Sequence, residues 1–297
     1  MAAASRPTRV VDAHVHLWDP ARLDWYPYLS RPQGQLPIPQ EKGVGDPSRM
    51  FRRFDVDTYR AESGYWNVEK FVNVAAATGS HSIDETIELD KKADSTGGPD
   101  AIVGGITPTE TVAQAIDVID SQMAASRFRG VRPMGAFEGP LPDAAVLRAL
   151  RDRGLVFELM THPDQLRAAA AQLAELDDLV VVVEHTGWPR SNSDDERGLW
   201  QSGIDALADL GDNVVCKLSG LAMPLASMRV DDLAPWLEYA IGAFGVDRCM
   251  FASNFPVDSM YGTFDDLYDS FNAVTAGLDS ESRDKLFAAN AERVYRI

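Results

Sequence analysis

Cysteine and basic residues are scarce in this chain of 297 residues. The two cysteines, Cys216 and Cys249, lie in apolar segments and are expected to be reduced core residues of a cytosolic protein, with a disulfide between neighbouring strands as the alternative. Lys and Arg together number 28 and Asp and Glu number 45, which gives a net charge of −17. Because proteins that bind nucleic acids or anionic membranes present a basic surface, we expect neither kind of partner.

Long apolar runs are also missing. The longest run, LVVVV at 179–183, has the length of a strand, whereas a membrane helix needs about 18 apolar residues. The N-terminal MAAASRPTRV lacks the apolar stretch of a secretory signal peptide. No GxGxxG follows the first apolar run, so the fingerprint of a dinucleotide-binding fold is absent. These absences predict a cytoplasmic protein.

The chain does contain a regular alternation of short apolar runs and amphipathic segments. From the second run onward, successive runs start about 25–35 residues apart, as in βα units with a crossover helix. Eight runs read as strands: 9–15, 70–76, 101–107, 128–134, 155–161, 179–185, 213–219 and 248–254. The alternation predicts an α/β protein, a distorted (β/α)8 TIM barrel forming a single domain over 1–297, with a doubly wound sheet as the alternative.

The first interval is an exception, because about 60 residues separate the first two predicted strands. Residues 18–66 form this insertion, and they begin with a stretch rich in proline and aromatic residues. Long excursions in compact domains often cover a binding site, so the insertion predicts a lid, with Trp18 in the pocket wall. A surface decoration or subunit contact is the alternative, and a homo-oligomer stays open.

Four of the five histidines fall at the ends of predicted strands. His14 and His16 end strand one, His162 follows strand five and His185 ends strand six. All strands of a barrel end on one face, so the four imidazoles would converge there. Residues two apart on a strand point the same way, so His14 and His16 would both face the interior. The pattern predicts a catalytic or metal-binding cluster.

Cationic side chains accompany strands four and seven, where Arg129, Arg132 and Lys217 are expected near the barrel mouth. Arginine binds carboxylates in bidentate fashion, so these residues predict a small anionic substrate as the partner of this protein. The alternative for the arginines is ion pairing with Glu138, Glu158 or Glu184.

Strand eight ends in FASNFPVD, which places Asn254 where barrel hydrolases carry a general base. A neutral amide cannot take a proton from water at neutral pH. Three explanations are open. The base is another group (His185, His162, Asp258 or a metal-bound hydroxide), or Asn254 replaces a natural Asp in an inactivated variant, or the activity has been lost or changed.

Seven segments resemble, in this order, the amidohydrolase superfamily and specifically its lactonase-like branch, which includes pyrone-dicarboxylate and sugar-acid lactonases. They are VDAHVHLWDP, FRGVRPMG, THPDQL, VVVEHTGWP, NVVCKLSGL, RCMFASNFPVD and NAERVYRI, and they run from residue 10 to the C-terminus. The resemblance implies the same barrel. It also implies that His14 and His16 are the strand-one pair, with His162 and His185 on strands five and six.

The resemblance also bears on cofactors. Superfamily members with two metals use a bridging Lys or Glu on strand four, where this chain offers arginine, so a binuclear centre is not expected. Some lactonase-like members work without metal. The site is therefore expected to hold either no metal or one Zn²⁺ or Mn²⁺ on His14, His16 and His185.

Together these features predict a hydrolase that opens a small, carboxylated lactone or cyclic ester. His14, His16 and His162 would polarise the carbonyl group, while His185, assisted by Asn254, would position the water. A metal-dependent decarboxylase of an aromatic or unsaturated acid is the alternative enzyme. A non-catalytic barrel is the alternative outside enzymes, because of Asn254.

Overall fold

The structure is a computed structural model that describes residues 5–30, 45–107, 111–134 and 141–297. Eight parallel strands form one sheet in the order of the sequence, which closes into a nearly complete (β/α)8 barrel. The strands are β1 (Val10–Val15), β2 (Val68–Val74), β3 (Ala101–Ile106), β4 (Phe128–Pro133), β5 (Val156–Leu159), β6 (Val181–Val183), β7 (Val214–Leu218) and β8 (Cys249–Phe251). All eight predicted strands are confirmed.

Helices follow the strands along the chain. They are α1 (Val56–Ser63), α2 (His81–Thr96), α3 (Val112–Gln122), α4 (Ala144–Asp152), α5 (Pro163–Leu173), α6 (Asp194–Ala208), α7 (Ala222–Leu225), α8 (Val230–Phe244), α9 (Phe264–Val274), α10 (Ser280–Asp284) and α11 (Asn290–Tyr295). Capping boxes start two of them, with Thr111 and Gln114 at α3 and Thr263 and Asp266 at α9. No helix in the described ranges is long and apolar enough to cross a membrane.

Two apolar clusters divide the core. The larger one lies between the outer face of the barrel and the surrounding helices. The smaller one contains alternate strand residues, such as Val156, Val182 and Val215, together with Ala291 and Tyr295 from α11. Because alternate residues of a strand share a face, this second cluster is the barrel interior, and α11 packs against its lower end.

The two cysteines lie opposite each other on neighbouring strands, with Cys216 of β7 in register with Cys249 of β8. Both are buried free thiols, as the sequence predicts. Burial raises the pKa of both thiols, so neither is a reactive thiolate at neutral pH.

The barrel closes between β8 and β1 through an isolated bridge from Val15 to Phe255. Below this bridge the buried carboxylate of Asp12 accepts the backbone N–H groups of Ser253, at 2.8 Å, and of His14, at 3.2 Å. Asp12 therefore fixes the end of β1, where the regular ladder is interrupted, against the end of β8.

Residues 31–44 of the insertion between β1 and β2 lie outside the described residues. Its described residues contain α1 and two short 3-10 turns, Pro27–Ser30 and Pro47–Arg49. Arg22 forms a double ion pair with Glu88 of α2, at 2.8 Å for both contacts. Arg49 donates to the main-chain carbonyl of Ser259, beyond β8. The described part of the insertion thus contacts elements on both sides of β1.

Candidate active site

A polar layer lies inside the barrel, directly above the inner apolar cluster. Glu158, Glu184 and Lys217 each follow a valine of that cluster by two positions, so their side chains point into the barrel. Arg132 of β4 completes the layer, and all four side chains are buried. Each glutamate lies against one of the two cations, which makes the burial of these four side chains tolerable.

Lys217 is held by a carboxylate. Its Nζ donates to both oxygens of Glu158, at 2.8 and 2.6 Å, and lies 3.5 Å from His14 Nδ1. The hydroxyl of Tyr295 donates to the same Glu158 at 2.5 Å. The C-terminal helix therefore contributes directly to the network under His14.

The hydrogen bonds of His16 define the tautomers of the strand-one pair. His16 Nδ1 lies 2.8 Å from the carbonyl oxygen of Val74, which can only accept, so Nδ1 carries the hydrogen and Nε2 a lone pair. His14 Nε2, at 3.1 Å, then donates to His16 Nε2, and His14 Nδ1 accepts. Burial lowers the pKa of both imidazoles well below the usual range, and Lys217 and Arg132 lower it further, so both are neutral.

His185 lies where β6 turns sharply. Its φ is +52°, and Thr186 follows at +56°, both in the left-handed region that costs energy for residues other than glycine. The imidazole Nδ1 is 3.0 Å from Ser219 Oγ. Gly220, at φ +68°, packs so closely that a Cβ there would lie 2.5 Å from the ring. The loop after β7 thus needs glycine to hold His185 in place.

Arg132 and Glu184 form a buried pair beside the histidines. Arg132 Nη1 is 3.3 Å from Glu184 Oε2, and Nη2 donates to the carbonyl of Ala75 at 2.7 Å. Burial alone would disfavour the charged carboxylate, but Arg132, Glu158 and Lys217 together outweigh it and lower the pKa of Glu184. Among the described residues, Arg132 Nε and Glu184 Oε1 have no hydrogen-bond partner. Buried polar atoms of this kind are available to a ligand.

The glutamates named as alternative partners of the arginines pair with different cations. Glu184 pairs with Arg132 and Glu158 pairs with Lys217, while Glu138 lies outside the described residues. Sequence reasoning treated these glutamates only as alternatives to substrate binding. The signal that could have found them is the two-residue period of VVVEH and VFELM, which places the glutamates on the inner face.

Three of these groups fit a divalent metal ion. His14, Glu184 and His185 offer ligand atoms that all lie within 4.8 Å of one another. Two imidazole nitrogens and one carboxylate oxygen are a usual ligand set of catalytic zinc, and Glu184 Oε1 is buried without a partner in the described chain. The cluster differs from the predicted set, because Glu184 stands in place of His16.

Aromatic rings connect the remaining predicted residues. Trp18 stacks on His16 with ring centres 5.9 Å apart and an angle of 8° between the planes. His162, at the start of α5, lies 3.0 Å through Nδ1 from the carbonyl oxygen of Trp188 and stacks on the Trp188 ring. Trp188 also contacts His185, at 5.7 Å between ring centres. Trp188 therefore connects His162 to His185.

The structure does not bring Arg129 to the histidines. Arg129 is the second residue of β4 and precedes Arg132 by three positions, so its side chain points to the opposite face. It donates to the carbonyls of Tyr295, at 2.9 Å, and Ser126, at 2.8 Å, near the start of the strand. Lys217 lies below His14 and is bound to Glu158. Arg132 alone of the three predicted cations thus has an unpartnered donor in the described region beside the histidines.

Asn254 lies three residues after β8, with a φ of +56°. Its backbone N–H donates to the carbonyl of His14 at 2.9 Å, which places it beside the histidine pair. Its side-chain Nδ2 donates to Asp258 Oδ1, also at 2.9 Å. Asp258 is fully buried, and burial raises its pKa to about 7. A carboxylate therefore lies next to the amide at the end of strand eight.

A surface cavity of about 210 Å³ lies on the other side of Trp18, between the insertion and helices α1 and α2. Its three cations are paired with acidic residues of the same lining: Arg53 with Asp55, and Arg22 and Lys92 with Glu88. No histidine lines it, so it is separate from the candidate active site.

Comparisons with known proteins agree with this geometry. The family model described as Amidohydrolase matches residues 11–297. The uncharacterised protein y4mH of Sinorhizobium fredii is 30% identical over 97% of this chain and 98% of its own length. An L-fucono-1,5-lactonase of Burkholderia ambifaria is 29% identical over 97% of this chain and 95% of its own.

A solved structure also shares the fold. An amidohydrolase from Burkholderia multivorans with bound zinc has a TM-score of 0.80 and 23% identity, and the match covers 98% of this chain and all of the other. The resemblance seen in the sequence is confirmed, and this chain belongs to the amidohydrolase family.

Proposed function

We propose that this protein hydrolyses a small lactone that carries hydroxyl groups. The observation that carries the proposal is the arrangement of Arg132 and Glu184, each with an unsatisfied polar atom in the described chain, beside His14, His16 and His185. The similarity to proteins named L-fucono-1,5-lactonase supports a lactone as the substrate.

Hydroxyl groups on the substrate are proposed from the similarity to proteins named L-fucono-1,5-lactonase, because that name denotes the lactone of a sugar acid. The Nε2 of His16 already accepts from His14, so this nitrogen is not assigned to a substrate hydroxyl. The substrate carboxylate expected from the sequence has weaker support, because Arg129 and Lys217 are bound elsewhere.

In the proposed reaction, water attacks the carbonyl carbon of the lactone. Arg132 donates to the carbonyl oxygen and stabilises the negative charge that develops there. His185 and Asn254 hold the attacking water, because both lie at strand ends next to His14. Trp18 and the described residues of the insertion act as a lid that limits access of bulk water.

A divalent ion would be held by His14, Glu184 and His185. When bound, such an ion acts as a Lewis acid on an oxygen atom and lowers the pKa of a water molecule.

The proposal is tested by acid release, measured in a pH-stat, from a panel of hydroxylated and carboxylated five- and six-membered lactones. Purified protein with added Zn²⁺ or Mn²⁺ is compared with the same protein after chelation. His185→Asn is the matched negative control, since it removes the imidazole while keeping a polar side chain.

Acid release above the spontaneous rate, lost in His185→Asn, is the expected result. Release of CO2 from aromatic or unsaturated acids without lactone hydrolysis would replace the proposal with a decarboxylase. A protein inactive in both assays would be a non-catalytic barrel.

A further inference from the structure

Water hydrolysis of a lactone needs a proton acceptor, and Asn254 cannot serve as one. We propose that Asp258, the carboxylate hydrogen-bonded to Asn254, is the general base of the reaction. This inference rests on the proposed lactone hydrolysis and assigns the group that takes the proton from water.

The turn after β8 places Asp258 against Asn254. The backbone N–H of Asp258 donates to the carbonyl of Asn254 at 3.0 Å, which closes one turn between the two residues. Asn254 Nδ2 returns a hydrogen bond to Asp258 Oδ1 at 2.9 Å. Because Asn254 is itself bound to His14 through its backbone, the carboxylate is tied to the histidine pair.

The second oxygen of Asp258 is available. Oδ2 is buried and has no hydrogen-bond partner within the described residues. A buried carboxylate normally satisfies both oxygens, so an unsatisfied one points to a water or substrate hydrogen. The backbone N–H of Ala222, the first residue of α7, is a weaker hydrogen-bond partner of this carboxylate and lowers its pKa. Gly220, which packs on His185, lies two residues earlier, so Asp258 borders the segment that supports the site.

The surroundings of Asp258 leave it able to accept a proton. Tyr261 follows on the same turn, and the insertion places Arg49 on the carbonyl of Ser259 and the backbone of Asp46 on that of Met260. The groups that lower the pKa of Asp258 are the side chain of Asn254 and the backbone N–H of Ala222, and neither is a cation. Burial raises the pKa of Asp258 to about 7, close to the value at which a general base is most effective near neutral pH.

The step balances without a further reactant. Water gives one proton to Asp258, and its oxygen forms a bond to the lactone carbonyl carbon. The ring C–O bond of the resulting tetrahedral adduct breaks, and the proton passes from Asp258 to the departing alkoxide oxygen. The product is a hydroxy acid, which ionises and releases the proton recorded in the pH-stat.

The test compares the pH profiles of kcat/KM for wild type and Asp258→Asn on a lactone that the wild type hydrolyses. For the wild type we expect activity to rise with pH through about 7, because the base must be deprotonated. In Asp258→Asn we expect kcat to fall about 100-fold or more and this limb of the profile to disappear.

Asp265→Asn is the matched control. Asp265 also has a buried oxygen without a partner among the described residues and a pKa raised by burial, but it lies in the first turn of α9. Its substitution makes the same change of charge and should leave the profile unchanged. Thermal unfolding of each variant shows whether the fold is retained.

A second variant keeps the assignment testable if Asp258→Asn does not fold. Asn254→Asp combined with Asp258→Asn exchanges the two groups and keeps one amide and one carboxylate in hydrogen-bond contact. We expect this double variant to be at least tenfold more active than Asp258→Asn or, where Asp258→Asn does not fold, than the single variant Asp258→Gly, which also lacks a carboxylate at this position. Wild-type kcat/KM and an unchanged pH limb in Asp258→Asn, or an exchanged variant no better than the single one, would overturn the assignment of Asp258 alone. A wild type inactive on all lactones overturns the proposed function, and this assignment with it.

Discussion

Lys217 donates to both carboxylate oxygens of Glu158, and neither side chain is exposed. The pair joins β7 to β5 across the barrel interior. Removing one member leaves a buried charge without compensation, which usually costs about 3–5 kcal/mol. We therefore expect Lys217→Met to lower the free energy of unfolding by about this amount, as measured by urea titration.

The double variant Lys217→Met with Glu158→Leu is the control for this pair. It removes both charges, so it should be more stable than Lys217→Met alone. If the single variant were as stable as the wild type, the pair would not be an obligatory part of the core.

Gly220 provides a second test, because it supports His185 directly. Gly220→Ala introduces a Cβ that would lie 2.5 Å from the imidazole, in a backbone conformation with φ at +68°. Holding alanine in this left-handed backbone conformation costs about 1–2 kcal/mol, and the imidazole of His185 must also move. We expect both a lower melting temperature and a loss of kcat.

Gly97→Ala separates these two effects. Gly97 has φ at +81°, and a Cβ at this position would meet no atom within 4 Å, so the substitution carries the backbone cost without the clash. It should lower the melting temperature and leave kcat unchanged. If both variants lost kcat to a similar extent, the loss in Gly220→Ala could not be assigned to its contact with His185.

Glu184 tests the metal cluster. Replacing Glu184 with Gln keeps the shape of the side chain but removes the charged ligand from the cluster with His14 and His185. We expect zinc affinity to fall about tenfold or more, measured by calorimetry and by metal content after dialysis. Equal zinc binding by Glu184→Gln and wild type would remove Glu184 from the cluster.

Arg132 distinguishes two modes of substrate binding. If it stabilises the carbonyl oxygen in the transition state, Arg132→Lys lowers kcat about 100-fold on neutral lactones and changes KM little. If instead it anchors a carboxylate, as the sequence suggested, KM rises on carboxylated lactones and kcat on neutral ones is retained. Lysine keeps the positive charge beside Glu184, so the fold is expected to persist.

Glu88 gives a prediction about pH and stability. Its hydrogen bonds with Arg22 lower its pKa to about 2, from an unfolded value near 4.5. Because the pKa of Glu88 is lower in the folded protein, its ionised carboxylate stabilises the fold at pH values above the unfolded pKa. This contribution is lost as the pH falls toward 2. The pair is partly exposed, so we expect Glu88→Gln to cost about 1 kcal/mol or less at pH 7. The difference should shrink between pH 5 and pH 3, and a constant difference would mean that ionisation of Glu88 is not involved.

The strands and the histidine cluster could be predicted because each depends on local sequence. Apolar runs of strand length predict all eight strands, and histidines at strand ends predict the convergence of His14, His16 and His185. The structure does not place Arg129 at the site. Arg129 and Arg132 are three positions apart on the same strand, and an odd spacing puts their side chains on opposite faces.

Other features depend on contacts between distant segments. Tyr295 reaches Glu158 across 137 residues of chain, and no local pattern predicts that contact. The tautomers of His14 and His16 depend on Val74 and Lys217, which lie on two other strands. The pairing of Asn254 with Asp258 is local, but its importance appears only when Oδ2 is seen to be buried without a partner in the described structure.

The closure of the barrel has a dynamic consequence. The seven other strand junctions are hydrogen-bonded ladders, whereas β8 meets β1 at the isolated bridge from Val15 to Phe255. The amides of Asn254 and His16 bond across this junction, so a local opening there would expose both to solvent in one event. Their hydrogen exchange should therefore be faster than that of the β5 to β7 amides and equal to each other, and a ligand that bridges the two strands should slow both together.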